Sequence, residues 1–416
     1  MNIIGIVAEY NPFHNGHLYQ IEQIKKLSSR PAIVAVMSGY FCQRGEPAIV
    51  SPRSRAKMAL LNGVDLVLQI PTYSAVGSAE DFASGSIRIL DSTGICEYLV
   101  FGAEQDRLDD LNLIAETLVD QEDKLWLFTK EQLKSGISYA KAREQFISNK
   151  IGSDPASLLR GSNQILAIEY LKAIKKHNLN LKPWLIPRKG NSHLSSSLKS
   201  SKIHPEIIEN LTSALAIRNK IEEFSDLPGF PANILQTLMP FMPPKALAIL
   251  LKDLSLHQGM SLEMLSDLIY YNLETEVTPS TRYLSEPLIN RLQSETRYTD
   301  DQYLSINQLV NSTMTKQLPA TRVRRALINL LLNIKEKPTF EPSFIRVLGF
   351  NKLGRYLIRR MTKSAKLPII SNFSQLQSAL NSENSWQEKL ELRAARIWLQ
   401  NLDQPLNEIF ESPINV

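Results

Sequence analysis

Gly5-Ile6-Val7-Ala8-Glu9-Tyr10-Asn11-Pro12-Phe13-His14-Asn15-Gly16-His17-Leu18 runs an apolar, β-branched segment straight into a Pro-containing turn and a helical start. Alternation and β-branching predict a first strand over residues 2–8, and the apolar spacing that follows predicts a helix near residues 17–29. In an open α/β sheet, ligands bind beyond the carboxyl ends of the strands, where the next helix offers free N–H groups and a positive dipole end. Working outward, further strands are predicted at 32–38, 64–70, 95–101 and 181–186, with helices near 52–62, 78–92, 130–148 and 155–177. Residues 1–200 therefore read as a Rossmann-like α/β domain with a parallel sheet. From about residue 201 the strand signals fade and Pro-rich breaks at 228–231, 240–244 and 279–287 separate helical patterns. Residues 201–416 are predicted to form a mostly α-helical C-terminal domain.

Length and composition fit this division. The 416 residues are 43% hydrophobic and 21% charged, which describes an ordinary globular chain and excludes a disordered or fibrous one. Only Cys42 and Cys96 occur, too few for a disulfide framework or a four-Cys zinc site. His177, His193, His204 and His257 lack metal-ligand spacing, so no protein metal site is expected. No window approaches 18 uninterrupted apolar residues, and a cytoplasmic protein without a membrane partner is the expectation. Nothing calls for an obligate protein partner.

Two readings of the quoted motif stand at this level. His14 and His17 flank Gly16, where the backbone can approach a ligand closely, so both imidazoles can address one phosphate with the first helical turn. Histidines at a loop-helix junction also serve simply as helix caps, and a metal pair is a third possibility.

The motif resembles the HxGH signature of the nucleotidyltransferase superfamily, in which it binds the ATP phosphates and assists attack on the α-phosphate. Further phrases resemble successive blocks of the bacterial tRNA(Met) cytidine acetate ligase family: 37–47, 101–104, 161–166, 187–189, 321–325 and 346–351. The resemblance spans nearly the whole chain. It implies that acetate is activated with ATP to acetyl-adenylate and passed to N4 of the wobble cytidine of elongator tRNA(Met), with His14 and His17 catalytic. It also implies ATP contacts along Val7, Ala8, Glu9, Tyr10, Asn11, Pro12, Phe13, His14, Asn15, Gly16, His17, Leu18, Tyr19 and Gln20, and at Gly102, Asn163 and Arg188. Lys189, beside Arg188 just after the fifth predicted strand, is placed to pair with phosphates at the same sheet edge, though a solvated Arg-Lys pair is the ordinary alternative. The sequence departs from the superfamily pattern twice. Ser195-Ser196-Ser197 is followed by Leu198-Lys199 instead of Ile-Arg, and Gln69 stands where relatives usually carry a carboxylate.

Charge is unevenly distributed. Residues 301–400 carry 16 basic and 6 acidic side chains, whereas 201–300 carry 8 and 13. Arg355, Arg359 and Lys363 share one helical face, and Arg322, Arg324 and Arg325 crowd another helix start. Solvated helix faces are the ordinary reading of such runs, but two of them joined to a nucleotide site point to RNA phosphates, and these six residues are the tRNA-binding candidates. Tyr356 and Phe350 nearby are read as core residues, and 386–402 as an amphipathic helix without chemistry. ATP is the expected co-substrate and brings Mg²⁺, held mainly by phosphates and water. Two alternatives keep the fold: a small-molecule nucleotidyltransferase, and a non-enzymatic RNA-binding factor with a relic nucleotide site.

Overall fold

Alternate residues of the central strands feed two separate hydrophobic cores, as a sheet covered on both faces requires. Ile3, Val34, Val36, Leu66 and Leu68 pack on one side, and Ile4, Ile6, Ile33, Ala35 and Val67 on the other. The computed structural model describes residues 1–188, 211–224, 232–257, 259–297, 304–337, 340–375 and 385–416.

The strands are β1 (Asn2–Ala8), β2 (Pro31–Ser38), β3 (Phe41–Cys42), β4 (Glu46–Pro47), β5 (Leu66–Ile70), β6 (Tyr98–Ala103), β7 (Lys182–Pro187), β8 (Ile345–Phe350), β9 (Ile369–Ile370) and β10 (Ile414–Asn415). The main sheet has the order β10-β8-β5-β2-β1-β6-β7, with β9 on β8, while β3 and β4 form a separate hairpin. Strands β5, β2, β1, β6 and β7 are parallel, and β8 joins β5 antiparallel. The five strands predicted in the first half are all present, displaced by three residues at most. Two predicted helices are subdivided. The 130–148 pattern belongs to Glu122–Lys134 and Tyr139–Ile151, parted at Gly136. The 155–177 pattern becomes Ser153–Ala156, a 3₁₀ turn and Ser162–Lys176.

The second half is mostly helical, yet it does not stay apart from the sheet. Strand β8 extends it, and Gly349 is required there because an added Cβ would lie 2.8 Å from Leu60 Cδ1 and 3.0 Å from the Ile414 carbonyl oxygen. The helix Ser385–Gln400 buries Trp398, whose Nε1 donates to the Ala48 carbonyl at 2.7 Å. A sequence division at residue 200 therefore marks a change of composition, and the sheet runs across it.

The helix Lys352–Ser364 lies along the amino edge of the parallel strands. Its N-cap Asn351 donates through Nδ2 to the Asp65 carboxylate (2.8 Å), just ahead of β5, and its last residue, Ser364, donates to the Thr93 carbonyl (3.1 Å), ahead of β6. Leu357 and Met361 face the core, while Arg355, Arg359, Arg360 and Lys363 are exposed. Tyr356, read as a core residue, is 51% exposed among them, because the core stripe of this helix runs through Leu357 and Met361.

Candidate active site

At the carboxyl edge, β1 ends at Ala8 and the chain turns through Tyr10, at φ 48°, and a cis Asn11–Pro12 peptide. This turn is held from several directions. Arg55 is fully buried and donates to the carbonyls of Glu9 (2.6 Å), Val50 (3.2 Å) and Gly39, and to Ser38 Oγ (3.2 Å). Asn11 Oδ1 accepts from the Ile49 N–H at 2.8 Å, and Arg218 donates to the Asn11 carbonyl at 2.7 Å. Asn15 donates to the Pro240 carbonyl at 3.0 Å, so the C-terminal half braces the loop. Burial pushes the Glu9 carboxyl above its ordinary range, against the Gln43 N–H that it accepts at 2.7 Å.

The helix that follows is Asn15–Leu27, two residues earlier than predicted, with His14 as N-cap. Gly16 N–H donates to His14 Nδ1 (3.0 Å) and His14 N–H to His17 Nδ1 (3.2 Å), an imidazole version of the capping box. An accepting Nδ1 leaves Nε2 as the protonated nitrogen of the neutral ring. The two rings stack at 3.8 Å, and Tyr10 meets His17 edge-on at 4.8 Å. Capping and ligand binding are thus compatible: Nδ1 of His17 caps, and His17 also lines a cavity of about 410 Å³.

That cavity gathers Val7, Ala8, Glu9, Tyr10, Asn11, Gly16, His17, Tyr19 and Gln20 from the predicted segment, together with Gly102, Asn163 and Arg188. Pro12, Phe13, His14, Asn15 and Leu18 do not line it. His14 is buried behind His17, so the two imidazoles do not present side by side, and Phe13 and Leu18 pack into the core. Lys189, Ser195–Ser197, Lys199 and Lys202 lie outside the described residues. On the far wall, Glu104 accepts from Asn163 Nδ2 (3.0 Å), whose Oδ1 accepts from Arg188 Nη1 (2.7 Å). Gly102 lets this happen, since an added Cβ would sit 3.0 Å from Arg188 Cγ. Burial lowers the Arg188 pKa below the usual arginine value.

Gln69 lies elsewhere, donating to Glu391 at 2.6 Å and accepting from Arg346 at 2.9 Å. A carboxylate is present at that place, but it comes from the C-terminal helix. The basic candidates separate as well. Arg325 lines the cavity, Arg324 donates to Asn307 in a neighbouring depression (3.1 Å), and Arg322 is exposed, all on the helix Ala320–Leu331. Arg355, Arg359 and Lys363 stand at the opposite edge of the sheet. Sequence reasoning misses Phe82, Tyr170 and Thr321 in the wall, and Arg55 beneath the loop, since none of them carries a readable signal of the site.

Asp81 caps the helix Ala79–Ser92, whose first turn lines the cavity through Ala79 and Phe82, and accepts from the Tyr283 hydroxyl (2.6 Å) and Arg282 (2.8 Å). Burial alone would raise its pKa, but Arg282, Ser78 and Tyr283 together hold it below the ordinary carboxylate range. A depressed folded pKa stabilises above the unfolded value, and that stabilisation is lost as pH falls through the folded one. Asp81→Asn is therefore expected to lower the urea midpoint at neutral pH, with the gap from wild type closing below about pH 4. A gap equally wide in acid would remove the charge as its source.

Among the described residues no cluster of three metal-capable side chains occurs, and no helix is long and apolar enough to cross a membrane. A parallel sheet with an imidazole-capped helix at its carboxyl edge, faced by Asn163 and Arg188, defines a nucleotide-binding enzyme site of the nucleotidyltransferase class. Comparison with known proteins agrees. The HIGH Nucleotidyl Transferase family matches residues 1–410. A tRNA(Met) cytidine acetate ligase of Thermoanaerobacter sp. (strain X514) is 38% identical over 94% of this chain and 93% of its own, and one of Acetivibrio thermocellus is 34% identical over 97% and 96%. The crystal structure of Thermotoga maritima TmcAL superposes with a TM-score of 0.88 in its apo form (28% identity, 100% of both chains), and with 0.85 when bound to alpha-thio ATP (28% identity, 100% and 99%). The chain belongs to the tRNA(Met) cytidine acetate ligase family.

Proposed function

We propose that this protein is an ATP-dependent ligase that activates acetate and acetylates N4 of the wobble cytidine of elongator tRNA(Met) in the cytoplasm. The observation that carries the reading is the convergence of His17, Gly102, Asn163 and Arg188 on one cavity at the carboxyl edge of the sheet. An acetate oxygen attacks the α-phosphorus and pyrophosphate leaves; the cytidine amine then attacks the acetyl carbon, AMP leaves and the amine loses a proton. His17 and the helix N-terminus stabilise the charge that develops on the phosphate, and holding both partners makes each attack effectively intramolecular. No enzyme nucleophile is needed. Mg²⁺ would enter with ATP, held mainly by its phosphates and water. Arg322, Arg355, Arg359 and Lys363 are exposed cations suited to RNA phosphates.

Incubation with Mg-ATP, radiolabelled acetate and unmodified elongator tRNA(Met), followed by digestion, is expected to yield labelled N4-acetylcytidine. Pyrophosphate release without acetate dependence would instead indicate a small-molecule nucleotidyltransferase. Retained tRNA binding with no pyrophosphate release would indicate a binding factor.

A further inference from the structure

We propose that Arg325, a residue of the C-terminal half, belongs to the reaction cavity, where with Arg44 it holds an oxyanion of the small substrates, the carboxylate of acetate or a phosphate of ATP. This deepens the ligase reading and rests on it for the acetate arm alone.

Thr321 and Arg325, one helical turn apart, both line the cavity, opposite the wall formed by Gly102, Asn163 and Arg188. The Arg325 side chain makes no hydrogen bond or ion pair with any described residue, and its Nε is buried without a partner. Its packing contact is the Tyr283 ring, 5.8 Å from the guanidinium carbon, and Tyr283 is itself tied to Asp81. Arg44, from the β3–β4 hairpin, also lines the cavity. Arg324 and Arg282 near this helix also have a buried Nε without a partner, but their guanidinium ends are bonded, Arg324 to Asn307 and Arg282 to Asp81 and the Tyr73 carbonyl, whereas that of Arg325 is not. A guanidinium drawn partly out of water without a bonded carboxylate is unfavourable until an anion arrives, so Arg325, with Arg44 at the same cavity, marks a seat for negative charge.

The backbone fixes this arrangement. Gly45 has φ +75°, and a Cβ there would fall 2.4 Å from the Arg325 nitrogen and 2.5 Å from the Arg324 carbonyl carbon. Only glycine lets the hairpin lie against the helix so closely, and that contact puts Arg44 and Arg325 on the same side of the cavity. The exposed Arg322, on the same helix, remains the better placed of the three for RNA.

The test compares wild type, Arg325→Met and Arg325→Lys in three measurements: ATP affinity, acetate-dependent ATP–pyrophosphate exchange without tRNA, and tRNA affinity. Losing a charged hydrogen bond is expected to raise the acetate KM or the ATP Kd of Arg325→Met by about 10-fold or more, with tRNA affinity little changed. Arg325→Lys, which keeps the stem packing and the charge, is expected to recover part of the loss, and it decides the matter if the Met variant does not fold. A rise confined to acetate assigns the carboxylate; one confined to ATP assigns a phosphate. Unchanged acetate KM and ATP Kd overturn the proposal, and a loss of tRNA affinity in their place makes Arg325 an RNA contact. Wild type without acetate-dependent exchange sinks the ligase reading, while ATP affinity still judges Arg325.

Discussion

His17→Ala is expected to lower acetylation kcat/KM by about 10²–10³-fold, the range seen when one preorganised donor to a developing oxyanion is removed. The ring does two separable things. Its Nδ1 accepts the His14 N–H at 3.2 Å, and the residue lines the cavity. Alanine removes both, so a helix-capping loss of about 0.5–2 kcal/mol in stability accompanies the kinetic one. His17→Asn separates them, since a short amide retains much of the cap and loses the imidazole at the cavity. Steady-state kinetics with urea denaturation of both variants reads the two contributions. If His17→Asn keeps wild-type stability and activity alike, the histidine is structural and the assignment fails.

Arg55→Met is expected to destabilise the protein by about 3–5 kcal/mol, a large value for one substitution. Methionine fills the space but leaves the carbonyls of Glu9, Gly39 and Val50 and the Ser38 hydroxyl without this donor, and Gly39, Val50 and Ser38 are buried. The guanidinium ties the exits of β1 and β2 to the start of the helix Pro52–Leu61, so ATP affinity is expected to fall with stability. Arg55→Lys keeps a charge but loses the fork, and recovers little. A loss under about 1 kcal/mol with ATP binding intact would falsify the view that Arg55 shapes the loop.

What can be read in advance follows a physical line. Strands β1, β2, β5 and β6 announce themselves as short apolar runs largely buried on both faces, while β7, at the sheet edge, shows only the short apolar run Trp184-Leu185-Ile186. Strand β8 does not, since six mostly apolar residues amid helical patterns carry no period that separates strand from buried helix. The cavity residues carried by local motifs, Val7 to Asn11, His17, Gly102, Asn163 and Arg188, are legible. His14 is not, because a three-residue spacing places both histidines at the helix start without saying which ring is outermost. Arg55 gives no signal, as an arginine in a short helix reads as exposed until four acceptors, three of them from the exits of β1 and β2, surround it. Arg325 reads as part of a basic cluster because sequence spacing shows charge, and only the contact at Gly45 shows where that charge is directed.

The cavity opens at one rim of the sheet and the exposed cations of Lys352–Ser364 line the other, separated by the length of β1, roughly 20 Å at the usual rise per residue. On the proposed tRNA reading such a layout would work as a caliper. A nucleotide or short oligomer would fill the cavity without touching the basic helix, whereas a folded RNA long enough to round the sheet edge would engage both. Size would then be a criterion of selection, set by the width of the sheet.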